Sequence, residues 1–205
     1  MAFTIDGSNG LTFPNATTQA SAGLTSASPV ITSGVLTFPN ASTQSAAGLV
    51  VGSASAITSG TTVASTSGTS IDFTSIPSWV KRITVMFNGV STNGSSAMQV
   101  QIGAGSITTS GYNAGSYTNT TKSVTTTGFQ TDNGAAIFTR SGLMTIDNMN
   151  SNIWVASGSW ACQPDSDISY FAGGVTLGGT LDRVRITTSN GTDTFDAGSI
   201  NILYE

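Results

Sequence analysis

Nine residues near the start of the chain, Leu11-Thr12-Phe13-Pro14-Asn15-Ala16-Thr17-Thr18-Gln19, recur 25 positions later as Leu36-Thr37-Phe38-Pro39-Asn40-Ala41-Ser42-Thr43-Gln44. The match runs on through Ala22-Gly23-Leu24 and Ala47-Gly48-Leu49, so one supersecondary unit is used twice. Each copy reads as a short strand centred on Leu-Thr-Phe, a turn set by Pro-Asn, and a second extended piece carrying Thr and Gln. Two such hairpins offer little apolar surface against an ordering cost of roughly 1 to 2 kcal/mol per residue. Identical chains wrapped around an axis would supply the rest, with Leu11, Phe13, Leu36 and Phe38 meeting their symmetry mates. The repeat therefore predicts a homo-oligomeric stalk or anchor over residues 1–65. The competing expectation is a flexible linker, or a segment that folds only when docked on another protein.

Beyond the Ser/Thr/Gly-rich stretch from Ser53 to Ser70 the pattern becomes one of alternation. Ile83, Val85 and Phe87 share one face and Arg82 and Thr84 the other, while Met98, Val100 and Ile102 alternate with Gln99 and Gln101. Val184 and Ile186 likewise face away from Arg183, Arg185 and Thr187, and Ile200, Ile202 and Tyr204 share a face. These are the marks of half-buried antiparallel strands. Asn88-Gly89, Asn93-Gly94, Asn133-Gly134, Gly178-Gly179 and Asn190-Gly191 read as the tight turns of hairpins. With no helical periodicity between them, residues 66–205 are expected to form an antiparallel β-sandwich of jelly-roll type, and the whole chain to be all-β. Trp79, Trp154 and Trp160 are expected in its core or at a subunit interface.

Charge narrows the function. Only 8% of the residues are charged, the net charge is -4, and the first 80 residues hold just Asp6 and Asp72. Binding to a phosphate backbone or to anionic lipid needs clustered cations, so neither nucleic acid nor membrane is an expected partner. No leader-like segment and no apolar run of spanning length is evident. The chain has no histidine, which removes Ser-His-Asp and Cys-His chemistry. Cys162 is the only cysteine, read as a small buried apolar residue, and no cofactor is implied. Asp165 with Asp167, and Asp193 with Asp196, are the carboxylate pairs close enough in sequence for two-carboxylate hydrolysis, although acidic residues in such turns ordinarily form the turn itself. Calcium is a better use for Asp165, Ser166 and Asp167, without EF-hand spacing. Gly103-Ala104-Gly105-Ser106 lacks the context of a phosphate loop. The stretch Gly111 to Tyr117 suggests glycan contact through Tyr112, Asn113 and Tyr117, set against the plainer expectation that the tyrosines pack on the sandwich.

Two parts of the chain resemble sequences of tailed bacteriophages. The doubled Gly/Val-Leu-Thr-Phe-Pro-Asn-Ala run is similar to Leu-Thr-Phe-Pro-Asp/Asn-Gly-Thr-x-Gln elements of phage fibre and virion structural proteins. The segments Ile71-Asp72-Phe73, Trp79 to Val85, Gln101-Ile102-Gly103, Leu181 to Thr187 and Gly191 to Asn201 resemble a phage-encoded β domain. The resemblance implies a virion protein, assembled in the bacterial cytoplasm, with a homotrimeric state, an N-terminal region that attaches to other virion proteins, and a C-terminal head that contacts the host surface and its glycans. Tail fibre is the first expectation, capsid decoration or head fibre the second, and a free carbohydrate-binding module a more distant third. No catalytic residue is implied.

Overall fold

The computed structural model describes residues 57–165 and 167–205, together with the backbone of six short strands before them. Two units divide the chain, Met1–Ala54 and Ser55–Glu205. In the first, β1 (Thr4–Asp6), β2 (Gly10–Thr12) and β3 (Thr18–Gln19) form one antiparallel set, and β4 (Ile31–Thr32), β5 (Val35–Thr37) and β6 (Thr43–Ser45) a second. Leu11 and Leu36 lie in β2 and β5, but their side chains, and Phe13 and Phe38 altogether, fall outside the described residues.

The second unit is all-β and antiparallel. Its strands are β7 (Thr58–Ser59), β8 (Val63–Ala64), β9 (Ser70–Thr74), β10 (Arg82–Thr92), β11 (Met98–Ala104), β12 (Ser106–Ile107), β13 (Asn113–Thr118), β14 (Thr121–Thr125), β15 (Phe129–Gln130), β16 (Thr139–Asn150), β17 (Ile153–Gln163), β18 (Asp167–Thr176), β19 (Arg183–Thr188) and β20 (Phe195–Tyr204). The large sheet runs β14-β13-β18-β17-β16-β10-β20-β7, with β8 also on β20. The small sheet runs β12-β11-β19-β9, with β15 on the far side of β11. Long-range pairing is nested: β10 takes β20, β11 takes β19, β13 takes β18 and β16 takes β17. A long hairpin rolled up would pair in this way, but here β16 and β17 remain in the large sheet between β18 and β10.

One core joins the two sheets. Val85, Phe87, Met144, Ile146, Trp154, Trp160 and Phe171 of the large sheet pack in the same buried cluster as Ile71, Val100, Ile102, Val184 and Ile186 of the small one. Trp160 stands edge-on to Phe87 and Phe171, with ring centroids 5.0 and 5.2 Å away. The expected core positions of Trp154 and Trp160 are thus occupied. Trp79 is different: it lies on the surface, 54% exposed, tilted against Tyr204.

The boundary expected after residue 65 falls earlier. Leu203 and Tyr204 pair with Ser59 and Thr58, and Ser199 and Ile200 with Ala64 and Val63. Ser65 is fully buried and donates its hydroxyl to Ala197 O at 2.7 Å. Residues 58–65 therefore complete the edge of the large sheet. Their two-residue strands also blunt that edge against further pairing.

The turn signals need a second correction. Gly89 lies inside β10, where the register to β16 and β20 shifts, so Asn88-Gly89 marks a bulge. Gly89 has φ 63° and Gly198, across from it, φ 92°; a Cβ on Gly198 would stand 2.4 Å from Gly89 O. Asn93-Gly94, Gly178-Gly179 and Asn190-Gly191 lie in crossovers between the sheets, and Asn133-Gly134 lies between β15 and β16. The hairpins turn instead at Gly105 (φ 72°), Asn119 (φ 54°) and Ser151 (φ 45°), and at Pro164-Asp165 after β17.

Candidate functional site

Each sheet has an outer face, and the two differ in chemistry. Outward positions on the large sheet follow from the register. Tyr117 of β13 stands opposite Tyr170 of β18, Tyr170 opposite Ser159 of β17, and Ser159 opposite Leu143 of β16. The adjacent row runs Val124, Gly115, Ala172, Ser157, Thr145 and Thr84. Ile153, Val155 and Ile168 complete the face, which leaves Val124 89%, Tyr170 58% and Leu143 48% exposed. Charges stand at its margins: Lys122 opposite Tyr117 on edge strand β14, and Asp147 paired with Arg82 at 2.5 Å on the other side. Alternation is thus apolar inside and uncharged, largely apolar, outside. Solvated antiparallel faces instead carry polar side chains.

Of the residues expected to touch glycan, Asn113 and Tyr117 lie on this face two steps apart along β13, both exposed. Tyr112 does not join them and cannot touch a sugar. It is 2% exposed, its ring edge-on to Phe129, and its hydroxyl accepts from Ile102 N at 2.9 Å and donates to Ile102 O at 3.2 Å. Burial pushes its phenol up to about 12. Tyr170 was not singled out by the sequence, although the run Ile168-Ser169-Tyr170-Phe171-Ala172 places apolar residues at both parities and so signals cover on both faces.

The outer face of the small sheet is polar. Gln99 pairs with Thr187 and Gln101 with Arg185; Thr187 in turn pairs with Ser70 and Arg185 with Asp72. Ser70, Gln99, Gln101, Arg185 and Thr187, together with Thr109, Thr127 and the Ser189–Gly191 turn, line a groove of about 320 Å³. The expectation of a half-buried strand fails at Gln99 and Gln101, which are 4% and 5% exposed because the groove walls rise over them.

Of the candidate carboxylates, Asp193 has a structural occupation. Asp193 accepts from Ser96 N at 2.9 Å and from Asn190 Nδ2 at 2.6 Å, and these bonds hold its carboxyl below the usual range. It staples the β10–β11 crossover to the β19–β20 one, whereas Asp196 is exposed on β20. Asp167 begins β18 opposite Cys162, Asp165 lies in the preceding turn, and Ser166 is outside the described residues. Among the described residues no three His, Cys, Asp or Glu side chains gather as a metal site would require. Cys162 is buried with Sγ 3.6 Å from Ser169 Oγ, and burial raises its thiol. Among the described residues, no helix is long and apolar enough to cross a membrane.

The second unit is an antiparallel two-sheet β-protein with one largely apolar and one polar outer face. No protein-family profile matches the chain, and neither a curated protein nor a solved structure does.

Proposed function

We propose that the chain is a structural protein of a bacteriophage particle that acts by assembly and by contact with the host surface, with copies of the chain packed through the outer face of the large sheet. The observation that carries assembly is the uncharged face around Tyr117, Leu143, Val155, Ile168 and Tyr170. Tyr170 at 58%, Leu143 at 48% and Ile168 at 45% exposure put large apolar side chains together on one open sheet face, the kind of surface that marks a contact between proteins. Water against that surface is costly, and a second copy offers the same apolar chemistry with Lys122 and Asp147 at the rim to set orientation. The phage setting comes from the doubled Leu-Thr-Phe-Pro-Asn unit and the resemblance of the β domain, which also point to a homotrimer anchored to other virion proteins by residues preceding the sandwich.

Gold-labelled antibody against residues 57–205, applied to particles of a phage encoding this chain, tests the setting. Label at tail or baseplate supports a fibre in host contact. Label over the shell supports the head-fibre or decoration alternative, and unlabelled particles overturn the virion assignment.

A further inference from the structure

We infer that the groove on the outer face of the small sheet is a binding site for a neutral saccharide, one sugar ring or a disaccharide. The inference stands on the groove alone and does not depend on how copies assemble. Its volume of about 320 Å³ is at the small end of ligand pockets, suited to a compact molecule. Its floor holds a buried polar side chain with unused capacity. Gln101, 5% exposed, donates from Nε2 to Thr127 O at 2.8 Å, and its Oε1 has no partner among the described residues. Gln99 beside it accepts from Thr127 Oγ1 at 3.1 Å and reaches Thr188 O only at 3.5 Å, so its amide too has a donor to offer. The free Gln101 Oε1 and the second Gln99 amide N–H are not among the side-chain atoms buried without a partner, so they face the groove, where a ligand hydroxyl can take the place of water.

Charge selects the ligand class. The groove's cation, Arg185, is held by Asp72 through two parallel bonds, Nε to Oδ1 and Nη2 to Oδ2, both 2.7 Å. That pairing cancels the attraction a phosphate or carboxylate would need and leaves Nη1 as a directed donor. The hydroxyls of Ser70, Thr109 and Ser189 line the same groove without side-chain partners among the described residues. Amide, guanidinium and hydroxyl groups spaced along two neighbouring strands match a ring bearing several hydroxyls, each able both to donate and to accept. An apolar ligand would leave these groups dry and unpaired.

The test is saturation-transfer NMR and titration calorimetry on the full chain with maltose, lactose, cellobiose and chitobiose, and with sialyllactose and inorganic phosphate as charged probes. At least one neutral disaccharide is expected to bind in the millimolar range. Gln101→Leu and the rim substitution Thr109→Trp, which fills the groove from an exposed position, should each weaken it by about tenfold or more. Should Gln101→Leu fail to fold, Thr109→Trp alone decides. Failure of all four neutral sugars to bind, binding indifferent to Thr109→Trp, or preference for phosphate or sialyllactose would overturn the assignment.

Discussion

Arg140 Nε and Asp132 Oδ2 form an ion pair in which neither side chain reaches solvent. Arg140 belongs to β16 of the large sheet, and Asp132 follows β15 of the small sheet. Each partner is satisfied beyond the pair. Asp132 Oδ1 accepts from Met98 N and Gly134 N, both at 3.0 Å, and the guanidinium donates to Phe138 O and Ala135 O while lying over the Phe138 ring. The pair therefore fixes how the two sheets meet.

Breaking it from one side leaves a buried charge uncompensated. Arg140→Met is expected to lower stability by about 3 to 5 kcal/mol in urea unfolding of the full chain. A loss below about 1 kcal/mol would show that water enters and replaces the guanidinium.

Tyr112 gives the protein an alkaline limit. The folded phenol is pushed up to about 12 by burial, while in the unfolded chain it ionises near 10. Between those values the folded state keeps a proton that the unfolded state gives up, so stability falls as pH rises through that interval, by roughly 2 to 3 kcal/mol. Tyr112→Phe should flatten this decline. At pH 7 it should cost about 1 to 3 kcal/mol, because Ile102 N–H loses its acceptor. Denaturant unfolding at pH 7, 9, 10 and 11 measures both effects.

The bulge of β10 depends on two glycines facing each other. Gly198→Ala would force a side chain into φ 92° and onto Gly89 O, so a loss of about 2 kcal/mol or more is expected by thermal unfolding. Gly191→Ala, at φ 70° but with open space around it, should cost less, since only the backbone strain remains.

Much of the second unit was legible from parity. The inward sets Ile83-Val85-Phe87 and Val184-Ile186 are fully or nearly fully buried, because a strand can bury a face only by alternating. What parity does not reveal is what lies over the other face. Gln99 and Gln101 read as solvent-facing, and the loops that cover them come from distant turns at Thr109, Thr127 and Ser189. Asn-Gly dipeptides supply positive φ wherever the backbone needs it, and here that need arises at a bulge and in crossovers as well as in hairpins. On the large-sheet face, Asn113 and Tyr117 were visible as exposed polar and aromatic residues of one stretch. Tyr170 lies 53 positions from Tyr117 and becomes its neighbour only through the β13–β18 pairing.

Self-association through the large-sheet face is read by the absolute mass of the full chain by light scattering, alone and with Leu143→Asp plus Val155→Asp. Both positions are about half to two-fifths exposed on the outer face, so the substitutions spare the core. The full chain is expected to be a trimer that falls to lower mass in the charged variant with its fold retained. A wild-type monomer, or a trimer unmoved by two carboxylates on that face, would contradict it.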